Sequence, residues 1–203
     1  MDITIAAVYG SPRRRGNTAG LLARAVAGAR AAGVQVEEVV LRDLRLSPCL
    51  EIYGCRQAGE CAIRDDFQPV VARLQSVDGL MLATPIFFYT VSAHMKILMD
   101  RCQSLWVRRH RVASQHPPTG PRRPSLFIAA GATRGPRLFA GTLLSMRYFL
   151  DVLDAEIWRA LLYRGLDRED DVQRHPAYLE EAFDAGGALA ELLRTRRAPP
   201  ERI

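Results

Sequence analysis

The sequence predicts a single α/β domain built on a five-stranded parallel sheet in the order 2-1-3-4-5, doubly wound with helices on both faces. Two observations predict it. Strand-like and helix-like stretches alternate along the whole chain, and the strand-like runs are nearly continuously apolar, as strands covered on both faces must be. Joining parallel strands then requires right-handed crossovers. With 203 residues, 48% of them hydrophobic, the chain holds enough material for one core and too little for two full domains. Residues 1–195 are read as that domain, with a cysteine-bearing loop at 42–66, a basic proline-rich loop at 105–124 and a basic tail at 196–203.

The elements follow in order. "ITIAAVYG" (Ile3 to Gly10) is a β-rich run closed by glycine, and "NTAGLLARAVAGARAAG" is a helix that stops at Gly33. "VQVEEVVL" gives the second strand. After the cysteine-bearing loop, Asp65 and Asp66 can cap a helix through "FQPVVARLQS". "GLMLAT" is the third strand, followed by the loop "PIFFYTV" and the helix "SAHMKILMDRC". "SLFIAA", a helix through "RLFAGTLLSMRYFLDVL", the strand "EIWRALL" and a final helix ending near Leu193 complete the pattern.

The chain carries 28 basic and 22 acidic residues, a net charge of +6, which suits an anionic ligand such as a phosphate. The basic segments, Trp106 to Arg123 and the tail, lack interleaved aromatic stacking platforms, which argues against nucleic acid as the partner. They read instead as solvated loops or as a cover over an anion. The sequence has no apolar run long enough for a membrane span and no basic leader at "MDITIAAVYG", so the expected location is cytoplasmic. Thiols stay reduced there, and clustered cysteines then suggest metal, cluster or redox chemistry rather than a disulfide framework.

A five-stranded sheet of this order is flavodoxin-like, and such sheets bind ligands beyond the carboxyl ends of strands 1 and 3, where the winding reverses. Two loops are therefore singled out. "GSPRRRGNT" offers a phosphate monoester the hydroxyls of Ser11 and Thr18, the amide of Asn17, the cations Arg13 and Arg15, and helix N-terminal N–H groups that Gly16 lets a ligand approach. It lacks both the Gly-Lys-Ser/Thr ending of a triphosphate loop and the Gly-x-Gly-x-x-Gly dinucleotide fingerprint. "TPIFFYTVS" sets Pro85, Phe87, Phe88 and Tyr89 at the end of a buried strand, a set suited to walling a flat ring.

Together "GSPRRRGNT", "TPIFFYTVSAHMKILMDR" and the cysteine stretch ending in "CAIRDD" resemble the NAD(P)H-dependent FMN reductase and iron-sulfur flavoprotein group of the flavodoxin-like superfamily, over most of residues 1 to 135. The resemblance implies FMN as cofactor, its phosphate held by Ser11, Arg13, Asn17 and Thr18, with Arg15 nearby. It implies that Pro85, Ile86, Phe87 and Phe88 line the isoalloxazine, with Gly131, Ala132 and Thr133 closing the other side. Lys96, Asp100 and Arg101 match family positions, and a structural ion-pair role is expected for them. The implied activity is hydride transfer from NAD(P)H to FMN and on to a small acceptor such as a quinone, a flavin or a ferric chelate, in a homodimer or homotetramer. The alternative is a non-enzymatic flavin or iron-sulfur/flavin electron carrier serving a protein partner. No catalytic residue is nominated, including His94, His110, His116 and His175, because hydride transfer between stacked rings needs orientation more than a protein acid or base.

The same resemblance frames the cysteines. Iron-sulfur flavoproteins resemble "PC-x-x-C-x-x-C" with a further cysteine before "DD". Here Cys49, Cys55 and Cys61 fall on cluster positions while Ile52 stands where a second cysteine belongs. A four-iron cluster draws four thiolates from its protein, so Cys49, Cys55 and Cys61 are an incomplete set. The expectation is a loop beside the FMN site that holds no metal.

Overall fold

The computed structural model describes residues 2–112 and 120–197. Five parallel strands, β1 (Thr4–Tyr9), β2 (Gln35–Val40), β3 (Gly79–Pro85), β4 (Arg123–Gly131) and β5 (Ala155–Arg164), form one sheet in the order β2-β1-β3-β4-β5. The helices are α1 (Asn17–Ala31), α2 (Cys55–Ala58), α3 (Phe67–Ser76), α4 (Ala93–Arg101), α5 (Gln103–Val107), α6 (Ala140–Val152) and α7 (Pro176–Arg197). This is the flavodoxin-like architecture.

Strand periodicity divides the core in two. Ala6 and Val8 of β1, Leu80 and Leu82 of β3, and Phe127 and Ala129 of β4 pack against α3, α4 and α6. Their alternates Ile5, Ala7, Met81, Ala83, Leu126 and Ile128 pack against α1 and α7. Each fully buried Leu or Phe contributes roughly 1.5–3 kcal/mol, and both sets lie on central strands with no exposure. The continuous apolar runs follow from this, since neither face can carry a polar side chain. β2 is the exception because it is an edge. Its Glu37 and Glu38 are exposed and pair with Arg73 at 2.7 Å and Arg30 at 2.9 Å.

α1 and α7 cross with almost no separation. A Cβ on Gly28 would lie 1.9 Å from the Phe183 carbonyl oxygen, and one on Gly186 would lie 1.9 Å from that of Ala25. Two glycines in otherwise alanine- and leucine-rich helices thus set the approach of the layer that covers one sheet face.

Three sequence expectations shift. The segment expected as a loop from residue 105 is helical through Val112, as α5 followed by one wide turn, Arg108–Val112. Leu105 and Val107 are buried there, and core contact overrides the turn-like composition. Three of its arginines are also occupied: Arg109 binds Asp151 and Asp154, Arg122 pairs with Asp151, and Arg123 opens β4 while donating to the carbonyls of Leu74 at 2.7 Å and Val77 at 2.8 Å. Residues 113–119 of that loop lie outside the described residues. Finally, α7 runs past Leu193 to take in Arg196 and Arg197 from the expected tail, whose remainder, 198–203, is also outside the described residues. No helix among the described residues is long and apolar enough to cross a membrane.

Candidate functional site

Because all five strands are parallel, the loops after Tyr9, Pro85, Gly131 and Arg164 leave the sheet along the same edge. The first two are tied together directly. The Gly10 N–H donates to the Ala83 carbonyl at 2.8 Å, and a Cβ at Gly10 would sit 2.9 Å both from that oxygen and from Met95 Cε. Ser92 locks the third side: its N–H donates to Thr84 Oγ1 at 3.0 Å, its hydroxyl donates to the Gly10 carbonyl, and the same oxygen caps α4 by accepting from the Met95 N–H at 3.2 Å. Among the described residues no buried side-chain nitrogen or oxygen lacks a hydrogen-bond partner.

Between these loops lies a cleft of about 290 Å³. On one side Ser11, Arg13, Gly16, Asn17 and Thr18 line it; on the other are Pro85, Ile86 and Phe87, with Ala130, Gly131 and Ala132 behind. α1 begins there with Gly16 as its N-cap and no side-chain cap, so its first N–H groups are left for a ligand. The Ser11 hydroxyl is inside the loop, accepting from the Arg13 N–H at 3.0 Å, and Arg13 has no carboxylate partner among the described residues. The Ile86 N–H extends the β3–β4 ladder to the Ala130 carbonyl at 2.9 Å, which holds the Pro85–Phe87 segment flat against the cleft.

Four expected residues are placed differently. Arg15 and Thr133 do not line the cleft. Neither does Phe88, which is 100% exposed: the N–H and C=O groups of Phe87 and Thr90 bond reciprocally at 3.0 and 3.1 Å, making a two-residue turn with Phe88 at φ 49° and Tyr89 at φ 62°. Such turns favour Asn-Gly, so two aromatics with positive φ there carry backbone strain. Thr142 Oγ1 donates to the Tyr89 carbonyl at 3.3 Å, and Gly141 gives that carbonyl room. Asn17 lines the cleft, but its side-chain amide is spent on the chain: Nδ2 donates to the Arg168 carbonyl at 2.7 Å and Oδ1 accepts from the Val172 N–H at 2.9 Å.

That last pair explains the part of the cleft that sequence reading missed. Leu166 and Asp167, from the turn after β5, form its remaining wall. The turn is shaped by Gly165 at φ 77°, by the N–H groups of Gly165 and Leu166 donating to the Gly131 carbonyl, and by Asp171, whose Oδ2 accepts from the N–H groups of Asp167 and Arg168 at 2.8 and 2.7 Å. Those backbone hydrogen bonds hold the Asp171 carboxyl below the usual carboxylate range. The signal was present as "RGLD" at the end of the fifth strand, since every strand of a parallel sheet delivers its following loop to the same edge.

The cysteine loop forms a separate cavity of about 640 Å³, lined by Cys49, Cys55 and Cys61 with Tyr53, Met99 and Asp100 among others. The three sulfurs do not converge: among the described residues no three His, Cys, Asp or Glu side chains gather closely enough to hold a metal ion. Cys61 Sγ instead accepts from Arg101 Nε at 3.0 Å. With Ile52 where the motif's second cysteine belongs and a guanidinium on one sulfur, this donor set does not fit an iron-sulfur cluster. Cys102 is buried, and burial pushes its thiol well above the ordinary range, keeping it an inert core residue. Lys96 and Asp100 form an i,i+4 ion pair at 2.6 Å.

A parallel sheet of this order, with an uncapped helix N-terminus and a flat apolar wall meeting at its switch point, is decided further by the sequence profile of the NADPH-dependent FMN reductases, which matches residues 3–154. The chain belongs to that family. An iron-sulfur flavoprotein of Methanocaldococcus jannaschii is 37% identical over 98 residues, covering 48% of this chain and 51% of that protein. The chain spans about half the length of the curated relatives it matches. Among solved structures, a flavone reductase superposes with a TM-score of 0.70 at 16% identity, over 97% of this chain and 65% of that one. An NAD(P)H:quinone oxidoreductase from Methanothermobacter marburgensis superposes with a TM-score of 0.66 at 20% identity, over 93% and 98% of the two chains. Both likenesses are of fold.

Proposed function

We propose that this reductase-family chain is a flavin-dependent oxidoreductase that takes hydride from NAD(P)H and passes electrons to a small acceptor, with a quinone favoured. The observation that carries the reading is the single cleft in which a phosphate-type loop, Ser11 to Thr18, faces the flat segment Pro85 to Phe87 across the β1/β3 switch point. The flavin, when bound, accepts and releases hydride at its ring, and the protein's part is to bind, orient and shield it. Ser11, Thr18 and the open N–H groups of α1 would hold the phosphate, with Arg13 neutralising its charge. Pro85, Ile86 and Phe87 would carry one edge of the ring, and Gly131 with Ala132 would keep the opposing wall low. Gly131 is required by the chain's own packing, since a Cβ there would stand 3.0 Å from Leu138 Cδ2 and 3.3 Å from Ile86 Cβ.

Ala132, Leu166 and Asp167 would close the far side against water. Asn17 is a positioning residue in this scheme, acting through the turn that presents Leu166. A quinone acceptor is suggested by the name of one structural neighbour and by the aromatic turn beside the cleft. That turn, with the exposed Tyr148, also offers a face for a second copy, in line with a homo-oligomer.

The test is an absorption spectrum of the purified chain with acid-released flavin quantified, followed by NADPH and NADH oxidation with and without a quinone. About one flavin per chain and acceptor-dependent oxidation support the reading. A protein that neither retains nor takes up flavin overturns it.

A further inference from the structure

The phosphate-type loop and the flat segment come from distant parts of the chain, and one buried run of hydrogen bonds joins them. It starts at the Gly10 carbonyl, which accepts from the Ser92 hydroxyl. The Ser92 N–H donates to Thr84 Oγ1 at 3.0 Å, and the Thr84 hydroxyl donates in turn to the Pro85 carbonyl at 3.1 Å. Gly10 immediately precedes Ser11, the first cleft residue of the loop, and Pro85 is the first cleft residue of the flat segment. The run therefore begins at one wall of the cleft and ends at the other.

Neither Ser92 nor Thr84 lines the cleft, and their exposures are only 1% and 0%. Each hydroxyl has a single proton to donate, and both protons are used within the chain. Capping of α4 accounts for the bond from the Met95 N–H to Ser92 Oγ, but not for the bonds that reach Gly10 and Thr84. Thr84 is the one hydroxyl in β3, a strand otherwise made of apolar residues. Gly10 is held from both of its polar groups, since its N–H donates to the Ala83 carbonyl at 2.8 Å while its carbonyl accepts from Ser92. A shift of the loop relative to β3 breaks one of these bonds and leaves a buried polar group unpaired.

We infer that Ser92 and Thr84 are positioning residues that set the distance between the phosphate subsite and the ring subsite, and with it the affinity for a ligand that must occupy both at once. This rests on the reading of the cleft as a flavin site and deepens it. A ligand that bridges two subsites gains over its separate parts only when their spacing matches its own reach. FMN carries phosphate and ring on one ribityl chain, riboflavin lacks the phosphate, and inorganic phosphate lacks the ring. Either fragment can follow its own wall when the walls move apart; FMN cannot follow both.

The experiment measures binding of FMN, riboflavin and inorganic phosphate to the full chain, freed of flavin by dialysis, using flavin fluorescence and heat. Wild type, Ser92→Ala, Thr84→Val and Thr84→Ser are compared at a temperature where each has the circular dichroism of the folded chain. Ser92→Ala and Thr84→Val are expected to weaken FMN about tenfold while riboflavin and phosphate change by about twofold or less. Thr84→Ser keeps the hydroxyl and is expected to hold FMN within about twofold of the wild type. Thr84→Val preserves side-chain shape and carries the test alone should Ser92→Ala, which also removes the α4 cap, fail to fold. Equal weakening of all three ligands, or an FMN loss that Thr84→Ser shares, overturns the inference in favour of a general structural role and leaves the flavin site standing. Unchanged FMN affinity in the folded variants overturns it as well. A wild type that binds neither FMN nor riboflavin overturns the flavin reading together with it.

Discussion

Arg101 and Asp65 form a two-pronged ion pair, Nη1 to Oδ2 at 2.8 Å and Nη2 to Oδ1 at 3.1 Å, with the arginine side chain wholly buried. The remaining donors of the guanidinium reach the carbonyls of Ser47 and Ile63 at 2.8 and 2.9 Å and Cys61 Sγ, and its face lies 4.5 Å from the Phe67 ring centroid. One side chain at the end of α4 thus pins both ends of the cysteine loop. Asp65→Ala leaves that guanidinium buried without its counter-charge and should lower stability by about 3–5 kcal/mol, measured by urea unfolding.

The same pair sets a pH dependence. Burial raises the Asp65 carboxyl, but the hydrogen bonds from Arg101 and from the Ser47 and Phe67 amides outweigh it, leaving Asp65 below its ordinary value. A carboxyl depressed in the folded state stabilises fully above its unfolded pKa and loses that contribution as pH falls through the folded one. The stability gap between wild type and Asp65→Ala should therefore be constant from neutral pH down to about 4 and shrink below it. A gap that stayed level into stronger acid would mean that Asp65 acts by shape alone.

Phe88 is wholly exposed in a left-handed conformation, so in an isolated chain its ring contributes no packing while its backbone is strained. Phe88→Gly should raise the stability of the monomer by about 1 kcal/mol, read as a higher Tm. A lower Tm would reveal that the ring is covered in solution, by a second copy or by ligand.

Gly28 and Gly20 sit on the same helix with opposite prospects. Gly28→Ala drives a methyl into the Phe183 carbonyl and should cost about 3 kcal/mol. At Gly20 the new Cβ would meet Val172 Cγ1 at an ordinary 3.5 Å, and Gly20→Ala should gain about 0.5–1 kcal/mol from helix propensity. Paired denaturation curves decide both.

Asn17→Ala removes two hydrogen bonds that tie α1 to the turn after β5. The loss should be about 1–2 kcal/mol, with faster amide hydrogen exchange localised to residues 166–172. Uniformly faster exchange would assign Asn17 to global stability instead.

What the sequence determined by itself was the framework. Apolar runs separated by helices determined five parallel strands and their order, because hydrophobic period and crossover handedness leave few other solutions. The switch-point rule then pointed to the loops Gly10–Thr18 and Thr84–Ser92, Phe88 included. Contacts between residues distant in sequence were decided only in three dimensions. Leu166 and Asp167 join the cleft because Asn17, some 150 positions earlier, bonds across the turn that carries them. Phe88 leaves the cleft because reciprocal bonds between Phe87 and Thr90 turn its backbone outward. Arg109 and Arg122, expected in a solvated loop, find carboxylates on α6 and in the turn before β5. A sequence shows which groups exist and the period on which they repeat; which donor meets which acceptor depends on the distances that packing of the layers creates.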